Sequence, residues 1–287
     1  MIALADRLSI ISVERVSEEL GKLLRTHSPR AGLELLVDTG LAAIVLPELP
    51  ALRLEIDEHH HHKDVYEHSL TVLDQAIELE GLRHPESADA GPVPDLVLRM
   101  AALLHDVGKP ATKRTEPGGV VTFHHHDVVG AKLVARRLKT LRFDKQFVAD
   151  VSRLLELHLR FFGYTEGAWT DSAVRRYVRD AGPLLDRLHI LVRADVTTRN
   201  RKKADRLGFA YDDLEDRIAA LSQEEELAAI RPDLDGDQIM SILGLRPGRE
   251  VGDARAFLLE LRLDEGNLGE EEATARLLAW WAAQSLV

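Results

Sequence analysis

Cysteine is absent from all 287 positions. Disulfides and thiolate metal sites are thereby excluded, and any metal ion must be held by His, Asp or Glu. Long apolar runs are missing as well. None approaches the length of a membrane span, and the opening Met1-Ile2-Ala3-Leu4-Ala5-Asp6 lacks the basic region and apolar core of a signal peptide. A cytoplasmic protein with no membrane partner is the expectation. Alternating β-branched runs are nearly absent, with Val120-Val121-Thr122-Phe123 after the Gly118-Gly119 turn the one strand-like piece. No repeat at a solenoid period is evident. Helical periodicity fills the remainder, so the fold class expected is all-α. Positive charge is in deficit, at a net −11, which argues against indiscriminate binding to polyphosphate but leaves room for a local basic face.

What is present is an ordinary folded composition, 45% hydrophobic and 30% charged, on a chain long enough for two packed units. Ser12 precedes the apolar spacing Val13, Val16, Leu20, Leu23, Leu24 and reads as an N-cap. Short helices follow at Arg30 to Val37 and Gly40 to Leu46, and a strong helix over 64–82. A loop rich in Pro, Ser, Asp and Gly then spans His84 to Pro94. Further helices are predicted near 126–140, 144–160, 170–181 and 183–221. A glycine-punctuated segment closes the chain, in which Asp235 or Asp237 reads as a helix cap. The domain expectation is a helical segment 1–60, a central domain 61–222 and a small helical tail 223–287.

The stretch Met100-Ala101-Ala102-Leu103-Leu104-His105-Asp106-Val107-Gly108-Lys109-Pro110 organises the rest. An apolar helix delivers a histidine and an aspartate side by side. It then meets a glycine that tolerates a turn and a proline that cannot continue the helix. Lys109 adds a cation beside them. A His-Asp pair alone is often a cap or a surface hydrogen bond. Thirteen histidines are many, however, and His68, His126 and His158 sit on other predicted helices, as does Asp195 in Leu191-Val192-Arg193-Ala194-Asp195-Val196. A buried charge is costly unless it is paired or bound to a metal. His158 and Asp195, in such apolar surroundings, call for partners, and a common site drawing on all six residues supplies them. Read singly, His158 is a hydrogen-bonded core residue and Asp195 a cap or ion-pair partner of Arg193 or Arg199.

The ordered pattern H…HD…H…H…D resembles the HD superfamily of metal-dependent phosphohydrolases. Tyr66-Glu67-His68-Ser69-Leu70, Leu104 to Pro110, Phe123-His124-His125-His126-Asp127 and Glu156-Leu157-His158 are similar to the HD domain attached to bacterial CCA-adding tRNA nucleotidyltransferases. The opening Ile11 to Leu20, with Leu46-Pro47-Glu48-Leu49, resembles the helical neck and body of those enzymes. Leu234 to Met240, with Leu243-Gly244-Leu245, resembles their C-terminal end. The catalytic head of that family has no counterpart: no Gly-Gly-X-Val-Arg-Asp turn and no strand-borne Asp-X-Asp pair are found. Nucleotide addition is therefore not expected from this chain alone, and a head, if there is one, lies upstream of Met1.

The resemblance implies an HD-type helical bundle in which His68, His105, Asp106 and Asp195 hold a first divalent ion. Asp106 bridges to a second ion held by His126 and His158. A His/carboxylate set suits Fe, Mn, Ni, Co or Zn, one ion or two. Two ions roughly 3.5–4 Å apart clamp the attacking and leaving oxygens of a phosphoester, with Asp106 and Lys109 as the catalytic residues. The implied substrates are phosphomonoesters or 2′,3′-cyclic phosphates of nucleotides or RNA ends. The alternative is a non-catalytic body that grips tRNA. Arg199, Arg201, Lys202 and Lys203 follow Asp195 and read either as a solvated helix face or as phosphate or RNA contacts, which Arg175, Arg176 and Arg179 could extend. The run His59-His60-His61-His62 reads as surface decoration, or with one member, His61, at the edge of the site. The same ambiguity attaches to His124 and His125.

Overall fold

The computed structural model describes residues 5, 7–8, 10–54, 64–83, 94–117, 119–166, 169–198, 200–225 and 230–284. The histidine run 59–62 and Arg199 lie outside the described residues. The fold is all-α, and the strand-like piece forms half of a two-residue ladder, β1 Arg114–Thr115 antiparallel to β2 Val121–Thr122.

Two compact units make up the chain, Met1–Phe162 with Pro183–Phe209, and Gly163–Gly182 with Ala210–Val287. The first unit begins with α1 Val13–Leu24, α2 Arg30–Asp38 and α3 Leu41–Val45. Ser12 caps α1 by accepting from the Arg15 amide. Its bundle is α4 Val65–Arg83, α5 Leu96–Leu104, α7 His126–Thr140, α8 Lys145–Leu157 and α11 Leu185–Ala194, with the one-turn α6 Lys109–Thr112 between α5 and β1. Helix α5 is buried all round, from Leu98 through Leu104, as expected of a helix apolar on every face. Helices α4, α8 and α11 pack against it, and their Leu70, Leu73, Val151, Leu154, Leu188 and Leu191 are buried.

One ion pair is sealed into this packing. Arg99 Nε donates to Glu80 Oε2 at 2.9 Å, and its Nη1 reaches the carbonyls of Leu24 and Thr26, each at 2.8 Å. The other oxygen of Glu80 accepts from the Asp95 amide at 2.5 Å. The end of α1 and helices α4 and α5 are thereby tied through one fully hydrogen-bonded network. A second tie joins α2 to α4, where Arg30 bonds Asp74, Thr71 and Glu67.

The helix expected over 183–221 is broken. It divides into α11 and α12 Arg201–Glu225, with Asp195–Asn200 between them. Val196, Thr197 and Thr198 are three β-branched residues in a row, poor helix formers that lose side-chain freedom against the preceding turn. Asn200 then restarts the helix by accepting from the Lys203 amide.

The second unit holds α9 Phe162–Glu166 from Gly163 onward, α10 Asp171–Ala181, the later part of α12, and α13 Gly236–Leu243, α14 Arg249–Glu265 and α15 Gly269–Gln284. Its tail core is Leu234, Ile239, Ala254, Leu258, Ala273 and Leu277, edged by the stacked pair Phe257 and Trp280. Asp235 forms a reciprocal capping box with Gln238. Arg175, Arg176 and Arg179 do not present a free basic face. Arg175 bonds the carbonyls at the end of α14, and the other two pair with Glu260 and Asp264 on that helix.

Candidate metal centre

All six residues of the expected set converge in the first unit, and they do so at helix ends. His105, His158 and Asp195 are the C-caps of α5, α8 and α11. His126 opens α7, and His68 lies in the first turn of α4. A helix leaves its last carbonyls without intrahelical partners, and two of the rings use such spare carbonyls while a third bonds a loop carbonyl. His105 Nδ1 donates to Ala102 O at 2.9 Å, His158 Nδ1 to Leu155 O at 2.6 Å, and His126 Nδ1 to Phe123 O, before α7, at 2.9 Å. A carbonyl can only accept, so each Nδ1 carries a hydrogen and each Nε2 faces the centre, with a lone pair to offer whenever that nitrogen is unprotonated.

Two donor sets result, His68, His105 and Asp195 in one, Asp106, His126 and His158 in the other. In the first, His68 Nε2 lies 3.3 Å from His105 Nε2 and 3.0 Å from Asp195 Oδ1, and the latter two atoms are 3.4 Å apart. Donors about 2.1 Å from one ion stand roughly 3.0 Å apart at right angles and roughly 3.4 Å apart at tetrahedral angles, so this triangle has the dimensions of a coordination face. Asp106 faces both sets. Its Oδ2 is 3.3 Å from His105 Nε2 and 3.5 Å from His68 Nε2, and its Oδ1 is 3.2 Å from His126 Nε2.

The centre is dry. His68, His105, Asp106, Lys109, His126 and His158 are all buried, while the Asp195 side chain, at 13% exposure, is the most open of the set. Asp106 Oδ2, His126 Nε2 and His158 Nε2 are buried without a hydrogen bond of acceptable geometry, although Lys109 Nζ approaches Asp106 Oδ2 to 2.9 Å. Buried polar atoms are normally satisfied, and three inward-facing ones together fit a cation as their missing partner. The electrostatics agree. Burial works against a charge on His105, yet the carboxylates of Asp106 and Asp195 outweigh it and push the imidazole up to about 10. Burial, with His105 and His126 alongside, brings His158 down to about 4 and keeps it neutral, as a ligand must be. Burial opposes ionisation of Asp106 as well, but the charges of His105 and Lys109 hold its carboxyl well below the usual range. Two carboxylates thus hold a proton on His105 at the middle of the centre, and a divalent ion that displaced it would find a donor set of the right kind.

Lys109 is itself buried, seated between Asp106 and the face of Phe123. Gly108 has φ −77°, an ordinary helical value, so it is not there to supply a left-handed turn. A Cβ on it would lie 2.0 Å from the His126 carbonyl oxygen and 2.7 Å from the Gly130 amide nitrogen, so its bareness lets the His-Asp turn abut the start of α7. Pro110 falls within the first turn of α6, starting a helix and not only ending one. His124 and His125 are exposed, and His125, at φ 63°, turns the chain into His126. Arg201, Lys202 and Lys203 are exposed at the start of α12 and, among the described residues, make no ion pair.

Sequence reasoning missed Thr197. It is buried in the break between α11 and α12, with Oγ1 3.1 Å from His68 Nδ1. Its only signal in the sequence is its place two residues after Asp195.

A helical bundle with these residues at these positions defines an HD domain, and residues 65–200 match that family. Residues 1–52 match a family described as "Probable RNA and SrmB- binding site of polymerase A". The chain carries an HD domain, and nearly its whole length is similar to tRNA nucleotidyltransferases. It is 34% identical over 283 residues to the A-adding tRNA nucleotidyltransferase of Deinococcus radiodurans, covering 98% of this chain and 61% of that protein. It is 37% identical over 272 residues to the CC-adding tRNA nucleotidyltransferase of Thermus thermophilus, covering 93% and 56%. With the Multifunctional CCA protein of Neisseria gonorrhoeae it shares 32% identity over 151 residues, 52% of this chain and 33% of that one. The chain thus spans about three fifths of the length of the first two relatives. No described helix is long and apolar enough to cross a membrane.

Proposed function

We propose that this chain is the HD-bearing body of a tRNA nucleotidyltransferase-like protein, and that its HD domain is a metal-dependent phosphohydrolase. Its substrates are phosphomonoesters or 2′,3′-cyclic phosphates of nucleotides or RNA ends. The observation that carries this reading is the pair of donor sets with Asp106 within reach of both, and three buried donor atoms left unsatisfied. His68, His105, Asp106 and Asp195 would hold one divalent transition-metal ion, and Asp106, His126 and His158 a second. Such ions supply Lewis-acid polarisation of a phosphoryl group and acidify water.

The chain's own residues do the remainder. Asp106 offers one oxygen to each set and fixes their separation. The three carbonyl-anchored imidazoles are preorganised, so little reorganisation accompanies binding. Lys109 keeps an ammonium beside Asp106, available to balance charge gathering on phosphoryl oxygens. Exclusion of water strengthens each of these electrostatic interactions.

A second reading, a non-catalytic module that grips tRNA, is supported by Arg201, Lys202 and Lys203, exposed cations that make no ion pair among the described residues. They lie in the first turn of α12, where a helix disfavours positive charge, so an anionic partner would relieve them. The match of residues 1–52 and the names of the relatives support the same partner. Metal analysis of protein purified without added metal, together with hydrolysis of a chromogenic bis-phosphoester and of 2′,3′-cyclic nucleotides, separates the two. Bound metal and turnover, both lost in Asp106→Ala, are expected. Metal-free, inactive protein that retains salt-sensitive tRNA affinity favours the second reading.

A further inference from the structure

Three of the four imidazoles in the centre take their orientation from a carbonyl three residues earlier. His68 differs. It lies in the first turn of α4, and the partner found at its Nδ1 comes from a side chain elsewhere in the chain. Thr197 provides it, 129 residues away, with its hydroxyl 3.1 Å from Nδ1. The same short segment supplies Asp195, whose Oδ1 stands 3.0 Å from Nε2 of that ring. Asp195-Val196-Thr197 therefore holds His68 at both nitrogens.

We infer that Thr197 is a positioning residue for the metal centre, accepting the Nδ1 hydrogen of His68 and so leaving Nε2 as the ring atom that would join Asp195, His105 and Asp106 as donors to a shared ion. This rests on the metal-site reading above and deepens it. The chemistry is specific. A hydroxyl differs from a carbonyl in that it can donate as well as accept. His68 is thus the one ligand whose tautomer is set by a side chain and not by the backbone. The break between α11 and α12 gains a purpose, since a helix continued past Ala194 would not release the segment that bears both Asp195 and Thr197.

The test compares Thr197→Val, which keeps the shape and removes the hydroxyl, with Thr197→Ser, which keeps the hydroxyl. Two readouts are taken on folded protein, Co2+ affinity by competition with a chromogenic chelator and the His68 tautomer by nitrogen-15 NMR of metal-free protein. Thr197→Val is expected to weaken Co2+ binding about 10- to 100-fold, and Thr197→Ser to stay within about threefold of wild type. In the spectra, wild-type His68 should carry a hydrogen on Nδ1, and the valine variant should lose it in part, whatever proton Nε2 shares with Asp195 before an ion displaces it. Equal Co2+ affinity in all three proteins overturns the inference. So does a wild-type His68 with a bare Nδ1, or a serine variant as impaired as valine while equally folded. A wild type that takes up no Co2+ overturns the metal reading instead, and the tautomer comparison still decides the role of Thr197. Should Thr197→Val not fold, the wild-type and serine tautomers settle the question alone.

Discussion

Substituting Gly108 by alanine sets two effects of opposite sign against each other. At φ −77° the position is open to alanine, so loss of unfolded-state freedom alone should stabilise the protein by about 0.4–1 kcal/mol. Against this, the new methyl would sit 2.0 Å from His126 O and 2.8 Å from His126 C, both main-chain atoms. Restoring ordinary contact requires the His-Asp turn and the start of α7 to separate by about 1 Å or more. Overpacking of this kind costs about 1–3 kcal/mol, so a net loss of about 1–2 kcal/mol is expected. The displacement falls on the backbone that carries His126, 3.2 Å from Asp106. A functional site tolerates only about 0.5 Å of error, so the His126 donor set should fail while the set built on His68, His105 and Asp195 persists. Urea denaturation measures the first effect, and Co2+ stoichiometry by calorimetry the second, with a drop from two ions to one. An alanine variant as stable as wild type, binding two ions, would refute the close approach and the geometry built on it. Gly130→Ala, whose Cβ would meet Gly108 N at 3.2 Å, serves as the milder control.

Four further outcomes are expected. Co2+ at a hundred times its dissociation constant should raise stability by about 2.7 kcal/mol, a gain that chelation and Asp106→Ala both remove in thermal melts. Arg99→Leu leaves Glu80 buried without its cation and two carbonyls without donors, and should cost about 3–5 kcal/mol by chemical denaturation. The double replacement with Glu80→Leu should recover much of that loss. His125→Gly relieves a left-handed backbone on an exposed residue and should gain up to about 1 kcal/mol, whereas His125→Val should lose stability. Reversing Arg201, Lys202 and Lys203 to Glu should weaken binding of a tRNA transcript and flatten its salt dependence, leaving cleavage of a small phosphoester unchanged.

The six centre residues were legible as a group because each is awkward alone. A histidine within Leu154 to Leu159 or an aspartate within Leu191 to Val196 needs a partner, and the ordered spelling named the partners. What escaped notice depends on contacts distant in sequence. Arg175, Arg176 and Arg179 share a helical spacing that reads as a basic face, but Glu260 and Asp264, some eighty residues on, neutralise two of them, while Arg175 turns to the end of α14. Gly108 reads in the sequence as a turn residue, although what matters is the helix pressed against it. The break at Asp195 was hidden by the helical periodicity on either side, with only Val196-Thr197-Thr198 and Asn200 to betray it. The position of the donors at helix ends connects these points. A histidine at a C-cap finds an uncommitted carbonyl three residues back, so ending the helix there fixes which ring nitrogen faces inward. The residues that end α5, α8 and α11 therefore set the orientation of the donors as well as the length of the helices. A ligand inside a helix, as His68 is, must borrow its second partner from another break in the chain.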